Sequence, residues 1–348
     1  MMANQMTAAV LYGKEDLRIE QVPVPSAGPG EIVVSVAAAL TCGTDLKVYR
    51  RGYHAKMLKP PILFGHELAG VVVEVGEGVS KFRVGDRVVA LNSAPCDVCY
   101  YCKHDQQNLC DDLLFNNGAY AEYIRIPARI VEKNTLHIPD HVPFEHAALT
   151  EPLACVVRGL EESNTHPGDN IVVIGAGPIG LMFIHTAYLA GLRVIAVVKR
   201  DEQVEAAKIF GAEEIVQTTA VDDVIAAVRN LTPDHRGVDV AIEAVATPAT
   251  WQQAVEMVRK GGTVNFFGGP ASGTKVELDT NRLHYNDITL KATFHHTPAT
   301  ARRAFELITS GRFYCREYIT GRAPLSSVDE VFRKLMDRSN DIKTAIIP

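Results

Sequence analysis

The sequence predicts an α/β protein: a doubly wound parallel sheet in the second half of the chain, and a separate β-rich region built mainly from the first. Three observations carry this. Ile171-Val172-Val173-Ile174 is an apolar run of the kind that forms a parallel strand buried on both faces. Gly175-Ala176-Gly177-Pro178-Ile179-Gly180 follows at once, and the apolar stretch 181–190 then reads as a helix packed on that strand. From 171 to 267 apolar runs alternate with helical stretches, whereas 7–143 shows short strands and turns with no βαβ rhythm.

Each glycine of the turn has a physical task. Gly175 allows a tight turn, Gly177 lets backbone amides approach a pyrophosphate, and Gly180 lets the helix sit close on the sheet. Pro178 and Ile179 open that helix, whose N-terminus offers unpaired N–H groups and partial positive charge to phosphates. A bare Gly-x-Gly-x-x-Gly is weak among 26 glycines, and a generic strand–turn–helix would produce it too. Context strengthens it. A second apolar strand, 194–198, follows at the expected offset, and a helix over 202–210 ends at Gly211. Further strands are expected at 214–216, 238–242 and 263–267. Together they point to a dinucleotide-binding fold. The tail predicts helices at 301–310 and 327–336, an irregular stretch between them and a last short strand.

In the first half, 32–37, 71–75 and 87–91 read as strands, with turns at Gly76-Glu77-Gly78 and Gly85-Asp86. Near Phe144 the texture becomes helical. With 348 residues the chain can hold two cores. Hydrophobic content of 47% and charged content of 22% are ordinary for a globular protein. A net charge of −6 with no basic run argues against nucleic acid as a partner. No apolar run approaches the roughly 20 residues of a membrane span, and residues 1–6 lack the features of a signal peptide. Seven cysteines, four of them between 96 and 110, suggest a metal site in a reducing, cytoplasmic setting and not a disulfide framework.

Cys96-x-x-Cys99-x-x-Cys102-x7-Cys110 lets four thiolates converge on one ion from a single loop, and four thiolates suit a closed, structural Zn²⁺ site. Four unligated cysteines and an iron–sulfur cluster are the competing readings. A second set is scattered: Cys42 in Thr41-Cys42-Gly43-Thr44-Asp45, His66 and Glu67 in Gly65-His66-Glu67-Leu68, and Glu151 in Thr150-Glu151-Pro152-Leu153. Alone each is bland, since a lone cysteine is usually a small buried hydrophobe. One His, one Cys and carboxylates together match a catalytic zinc that keeps a position open.

These segments, in this order and with the Gly-Ala-Gly-Pro-Ile-Gly turn behind them, resemble the zinc-dependent medium-chain dehydrogenase/reductase family. The likeness is strongest to its polyol (sorbitol-like) and threonine dehydrogenase branch, and it covers nearly the whole chain. The resemblance implies a GroES-like β-rich catalytic domain over 1–155 with a structural zinc lobe at 93–112, and a Rossmann NAD(P)-binding domain over 156–296. The chain would return to the catalytic domain over 297–348. It implies two zinc ions per chain: a structural one on Cys96, Cys99, Cys102 and Cys110, and a catalytic one on Cys42 and His66. Glu67 would be a ligand or an exchanging neighbour, and Glu151 the polyol-branch carboxylate, binding directly or through water. Cys155 stands one place from where some relatives carry a cysteine ligand. Zinc would act as a Lewis acid on a secondary alcohol, Thr44 would pass on the proton, and the nicotinamide would take hydride. A small alcohol or polyol substrate and a homo-oligomer, dimer or tetramer, are further implications. A threonine-type amino alcohol or a simple alcohol or aldehyde is the alternative substrate; a non-catalytic nucleotide-binding protein is disfavoured by the intact Cys42, Thr44 and His66.

The sequence departs from the family in three places. Lys47 stands where relatives often carry an outer proton-relay histidine, for which His54 could substitute. His295, in Phe294-His295-His296, lies where the polyol branch has a substrate-contacting arginine; two exposed histidines near a domain junction are the bland alternative. At the end of the second Rossmann strand, Val198 replaces the acid that would bind the adenosine ribose, and Lys199 and Arg200 follow. Two cations without an acid favour the 2′-phosphate of NADP over NAD, because Arg binds phosphate oxygens in a fork. Alternatively they form a solvated start to a helix capped by Asp201.

Overall fold

In the computed structural model, which describes residues 4–53, 57–337 and 341–348, the chain divides into two compact units. One comprises residues 1–154 and 296–348, the other 155–295.

The second unit is a six-stranded parallel sheet. Its strands in chain order are Asn170–Ile174 (β1), Arg193–Val198 (β2), Glu214–Gln217 (β3), Val238–Glu243 (β4), Val258–Phe266 (β5) and Thr289–Ala292 (β6). Their spatial order is β3-β2-β1-β4-β5-β6, so the sequence order reverses between β1 and β4. Every residue of β1 is buried, as expected of a central strand covered by helices on both faces. Val172, Ile195, Ala241 and Val264 form its core, and the single tryptophan, Trp251, stacks on Phe266 at 4.0 Å. Each fully buried valine or isoleucine there contributes about 2 kcal/mol. The sixth strand is absent from the sequence expectation because β6 is a half-exposed edge without an apolar run.

The first unit is β-rich, as anticipated. Ile32–Leu40 pairs antiparallel with Glu67–Val75 on one side and with Lys343–Ile347 on the other. Ile319–Pro324 extends this sheet beyond Lys343–Ile347. The stretch before 327 is therefore not irregular: it holds the helix Cys315–Tyr318 and this strand. A second departure is the helix Gly43–Arg51, set among strands and opened by Cys42. It buries little more than Val48, Tyr49 and Asp45, too few apolar positions to show a helical period. Tyr49, Phe64, Tyr120 and Phe332 form an aromatic cluster with ring centroids 5.5–5.8 Å apart. His54 lies outside the described residues. Among the described residues, no helix is long and apolar enough to cross a membrane.

Candidate metal and cofactor sites

The four cysteines Cys96, Cys99, Cys102 and Cys110 place their sulfurs within 4.8 Å of one another, in a loop wound by two 3₁₀ turns, Cys102–His104 and Gln107–Leu109. Cys96 Sγ and Cys102 Sγ are 4.0 Å apart. Tetrahedral Zn–S bonds require S···S separations of about 3.8 Å, so the loop is set to metal-binding spacing. Backbone amides serve the sulfurs: Cys96 N–H donates to Cys110 Sγ at 3.2 Å, and Cys99 N–H to Cys96 Sγ at 3.4 Å. The thiols are unequal. The Cys102 N–H holds Cys99 down at about 6, and the Val98 N–H lowers Cys96. Burial pushes Cys102 up to about 12 and raises Cys110. Two thiols are thus held below the ordinary cysteine value and two above it. Asp97 fastens the loop, accepting from Gln107 Nε2 at 2.9 Å and pairing with Lys133.

The second donor group is assembled from distant segments. Cys42, His66 and Glu67 bring their ligand atoms within 4.8 Å, with His66 and Glu67 fully buried. Cys42 caps the helix Gly43–Arg51, its sulfur accepting the Thr44 N–H at 3.4 Å. One turn into this helix, Asp45 places Oδ1 2.8 Å from His66 Nδ1. A carboxylate only accepts, so Nδ1 carries the proton and Nε2 is left as the ligand nitrogen. Tyr120 Oη lies 2.9 Å from Asp45 Oδ2 and 3.0 Å from the Leu40 carbonyl, fixing Asp45 in turn. Gly65 makes room for this arrangement. Its φ of +89° is left-handed, and a Cβ there would sit 2.7 Å from the Tyr120 ring.

Charge compensation comes from the far end of the chain. Lys343 Nζ donates to both Glu67 oxygens, at 2.8 and 2.6 Å, and to the Thr41 carbonyl at 2.9 Å. The pairing of Ala345 with Leu40, and of Leu40 with Glu67, brings these residues into one register. Burial works against the Lys343 charge, but Glu67 and Cys42 outweigh it and hold the ammonium above its ordinary value. Burial likewise lowers the His66 imidazole, yet Asp45 and Cys42 raise it well above its usual range. Burial raises the Cys42 thiol. A metal binding here must therefore displace protons.

Glu151 opens the helix Thr150–Glu161, and burial pushes its carboxyl up to about 7. Its ligand oxygen falls within 4.8 Å of His296, which itself lies 3.1 Å from Asn92 Oδ1. Glu151 thus groups with His296, while Glu67 groups with Cys42 and His66. Lys47 follows Thr44 by three residues on the same helix. His295 takes a left-handed backbone conformation, φ 67°. Sequence reasoning gave no role to Asp45, Tyr120 or Lys343, and weighed His296 only as the neighbour of His295. Of the first three, Asp45 alone had a local signal, its place three residues after Cys42.

In the second unit, Gly175 ends β1 with φ +99°, and a Cβ there would lie 2.6 Å from Val245 Cγ2. A Cβ on Gly180 would meet the Gly175 carbonyl at 1.8 Å, the close approach that lets the turn fold over the start of the helix Pro178–Leu189. The space beside Gly177, the N-cap, is open. At the end of β2, Gln203 Oε1 accepts the Lys199 and Arg200 N–H groups, both at 3.1 Å, and Gln203 Nε2 reaches the Ala176 carbonyl. The loop after Val198 is thereby tied to the glycine turn.

A family model for the alcohol dehydrogenase GroES-like domain matches residues 28–140, and one for zinc-binding dehydrogenases matches 178–310. The chain is 31% identical to sorbitol dehydrogenase of Bacillus subtilis strain 168, over 99% of this chain and 98% of that protein. It is also 31% identical to L-threonine 3-dehydrogenase of Bacillus licheniformis, over 97% and 96%. A crystal structure of a zinc-binding dehydrogenase from Sinorhizobium meliloti 1021, bound to NADP, superposes with a TM-score of 0.91 at 29% identity, over 99% of this chain and 100% of that one. The chain belongs to the zinc-dependent medium-chain dehydrogenase family, in its polyol and threonine dehydrogenase branch, and is an oxidoreductase of alcohols.

Proposed function

We propose that this chain oxidises a secondary alcohol of the polyol or sugar-alcohol class and delivers the hydride to NADP. The observation that carries the reading is the convergence of Cys42 with the buried His66 and Glu67, oriented by Asp45 and neutralised by Lys343. Cys42 Sγ and His66 Nε2 would hold the zinc. Both Glu67 oxygens are engaged by Lys343, which favours Glu67 as an exchanging neighbour and Glu151 as the carboxylate on the metal, directly or through water. A second zinc belongs to the four-cysteine lobe. Zinc in the first group supplies Lewis-acid activation of a hydroxyl, and NADP supplies the hydride acceptor.

The chain's own residues do the rest. The Thr44 hydroxyl accepts the substrate proton, and Lys47, one turn on, passes it outward. His295 contacts the substrate. Gly175, Gly177, Pro178, Ile179 and Gly180 form the cradle for the pyrophosphate, using the amides of the helix N-terminus. Val198 offers no acid to a ribose hydroxyl, and Lys199 and Arg200 receive the 2′-phosphate. That the Sinorhizobium relative holds NADP supports this choice. Steady-state assays of zinc-replete protein on polyols, simple alcohols and threonine, each with NADP and NAD, test the reading. The expected result is the highest kcat/KM on a polyol with NADP, and an Arg200→Ala variant with KM for NADP raised about tenfold. Preference for threonine moves the enzyme to the amino-alcohol branch, and preference for NAD removes the role given to Lys199 and Arg200.

A further inference from the structure

Although the chain carries a net charge of −6 and no basic run, its fold gathers five cations around one cavity of about 380 Å³ in the second unit. Arg229, Arg236, Arg259, Lys260 and Arg282 line it, with Asn286. They come from the helix Val224–Asn230, the segment before β4, the start of β5 and the helix Thr280–Tyr285. The cavity lies at the amino ends of β4 and β5. The glycine turn lies at the carboxyl ends of the same sheet, roughly 16 Å away along a six-residue strand.

Part of this charge has a structural task. Arg229 Nη1 donates to the Glu256 and Val258 carbonyls, and Arg282 to those of Val255, Glu256 and Val258, closing the helix Pro248–Met257. Arg282 also pairs with the Glu256 carboxylate at 3.0 Å, and Arg259 with Asp239. Two carboxylates thus answer two of the five cations, and a helix C-terminus adds about half a negative charge. Arg236 and Lys260, both exposed, have no carboxylate partner among the described residues. The backbone presents them on purpose-built geometry. The β4–β5 register jumps from Val238↔Val258 to Val240↔Thr263, so 259–262 bulge out of the ladder. Gly261, at φ +68°, donates its N–H to the Asn286 carbonyl at 2.7 Å and pins that bulge beside the cavity.

We propose that this cleft binds a small multivalent anion of the diphosphate class, at a site separate from the dinucleotide cradle. Guanidinium groups fixed by carbonyl bonds present their remaining N–H groups in a preset fork, which suits phosphate oxygens. The volume fits a compact anion, and Val258 is the one apolar wall among the lining residues. With no aromatic ring in the lining, the cleft lacks the stacking surface a nucleic-acid strand would use.

The test is calorimetric titration of inorganic pyrophosphate into zinc-replete full-length protein at fixed ionic strength, with NADP saturating so that the cofactor cradle is filled. Saturable binding of one pyrophosphate per chain is expected. A double variant, Arg236→Ala with Lys260→Ala, should weaken it about tenfold or more while leaving turnover unchanged. Lys199→Ala should leave it unaltered. Absence of saturable heat, equal affinity in the double variant, or loss of binding in Lys199→Ala would each overturn the proposal.

Discussion

The two metal-donor groups of the first unit solve the same problem in opposite ways. The four-cysteine lobe is local: its donors span fifteen residues of sequence, backbone amides donate to its sulfurs, and the pair of Asp97 with Lys133 fastens the loop. The Cys42 group is global. Glu67 and its counter-ion Lys343 are 276 residues apart, and the group is buried behind a chain of contacts from His66 to Asp45 to Tyr120. A local site can be satisfied by its loop alone. A group assembled from distant segments needs the whole unit to hold its charges in place.

The largest expected difference between them is functional. On the proposed zinc role, His66→Ala should lower alcohol turnover by about 10³-fold or more, the loss of several kcal/mol of transition-state stabilisation. Cys99→Ser should instead lower the thermal midpoint while the metal-dependent chemistry survives in the folded fraction. Parallel steady-state and thermal-melt measurements on the two variants check this.

Next in size is the counter-ion. Lys343→Met leaves a buried carboxylate unpaired and should cost about 3–5 kcal/mol in chemical denaturation, with part of the loss restored by adding Glu67→Gln. No comparable loss is expected from Lys133→Met, whose partner Asp97 is partly exposed.

A pH test sharpens the contrast. Burial raises Glu151 to about 7, so in zinc-free protein the folded state holds a proton that the unfolded state has released. Stability should then fall as pH rises from about 4.5 through 7, by about 3 kcal/mol in all. Glu151→Gln should flatten that window; an unchanged pH profile in the variant would remove Glu151 as its cause.

Two smaller effects follow. Tyr120→Phe keeps the ring against Phe64 and Phe332 but removes the donor to Asp45, and should weaken zinc binding at the Cys42–His66 group about tenfold in chelator competition. In zinc-stripped protein at neutral pH, iodoacetamide should label Cys99 before Cys102, since the one thiol is held near 6 and the other near 12; peptide mass spectrometry gives the order.

The same local-versus-global division explains what could be read from the sequence. The doubly wound sheet was legible because β1 and its glycine turn are continuous signals, with apolar run, turn and helix adjacent in the chain. The cysteine lobe stands out for the same reason, its spacing being itself the geometry. Cys42, His66 and Glu151 gain meaning only from their order along the chain, and that order matches a family. Lys343 and Tyr120 carry no signal of their own. A lysine near the C-terminus reads as solvated surface until the strand Lys343–Ile347 pairs with Ile32–Leu40 and buries it. The basic cleft is hidden similarly, its five cations spread over four segments. β6 and Ile319–Pro324 went unread because edge strands with mixed exposure carry no apolar run.

The most direct test measures zinc content and NADP-dependent alcohol turnover together in wild-type protein and in Cys42→Ser. Two zinc ions per wild-type chain, and one remaining zinc with turnover abolished in the variant, is the predicted outcome. A Cys42→Ser protein that keeps both ions and its full rate would contradict the account.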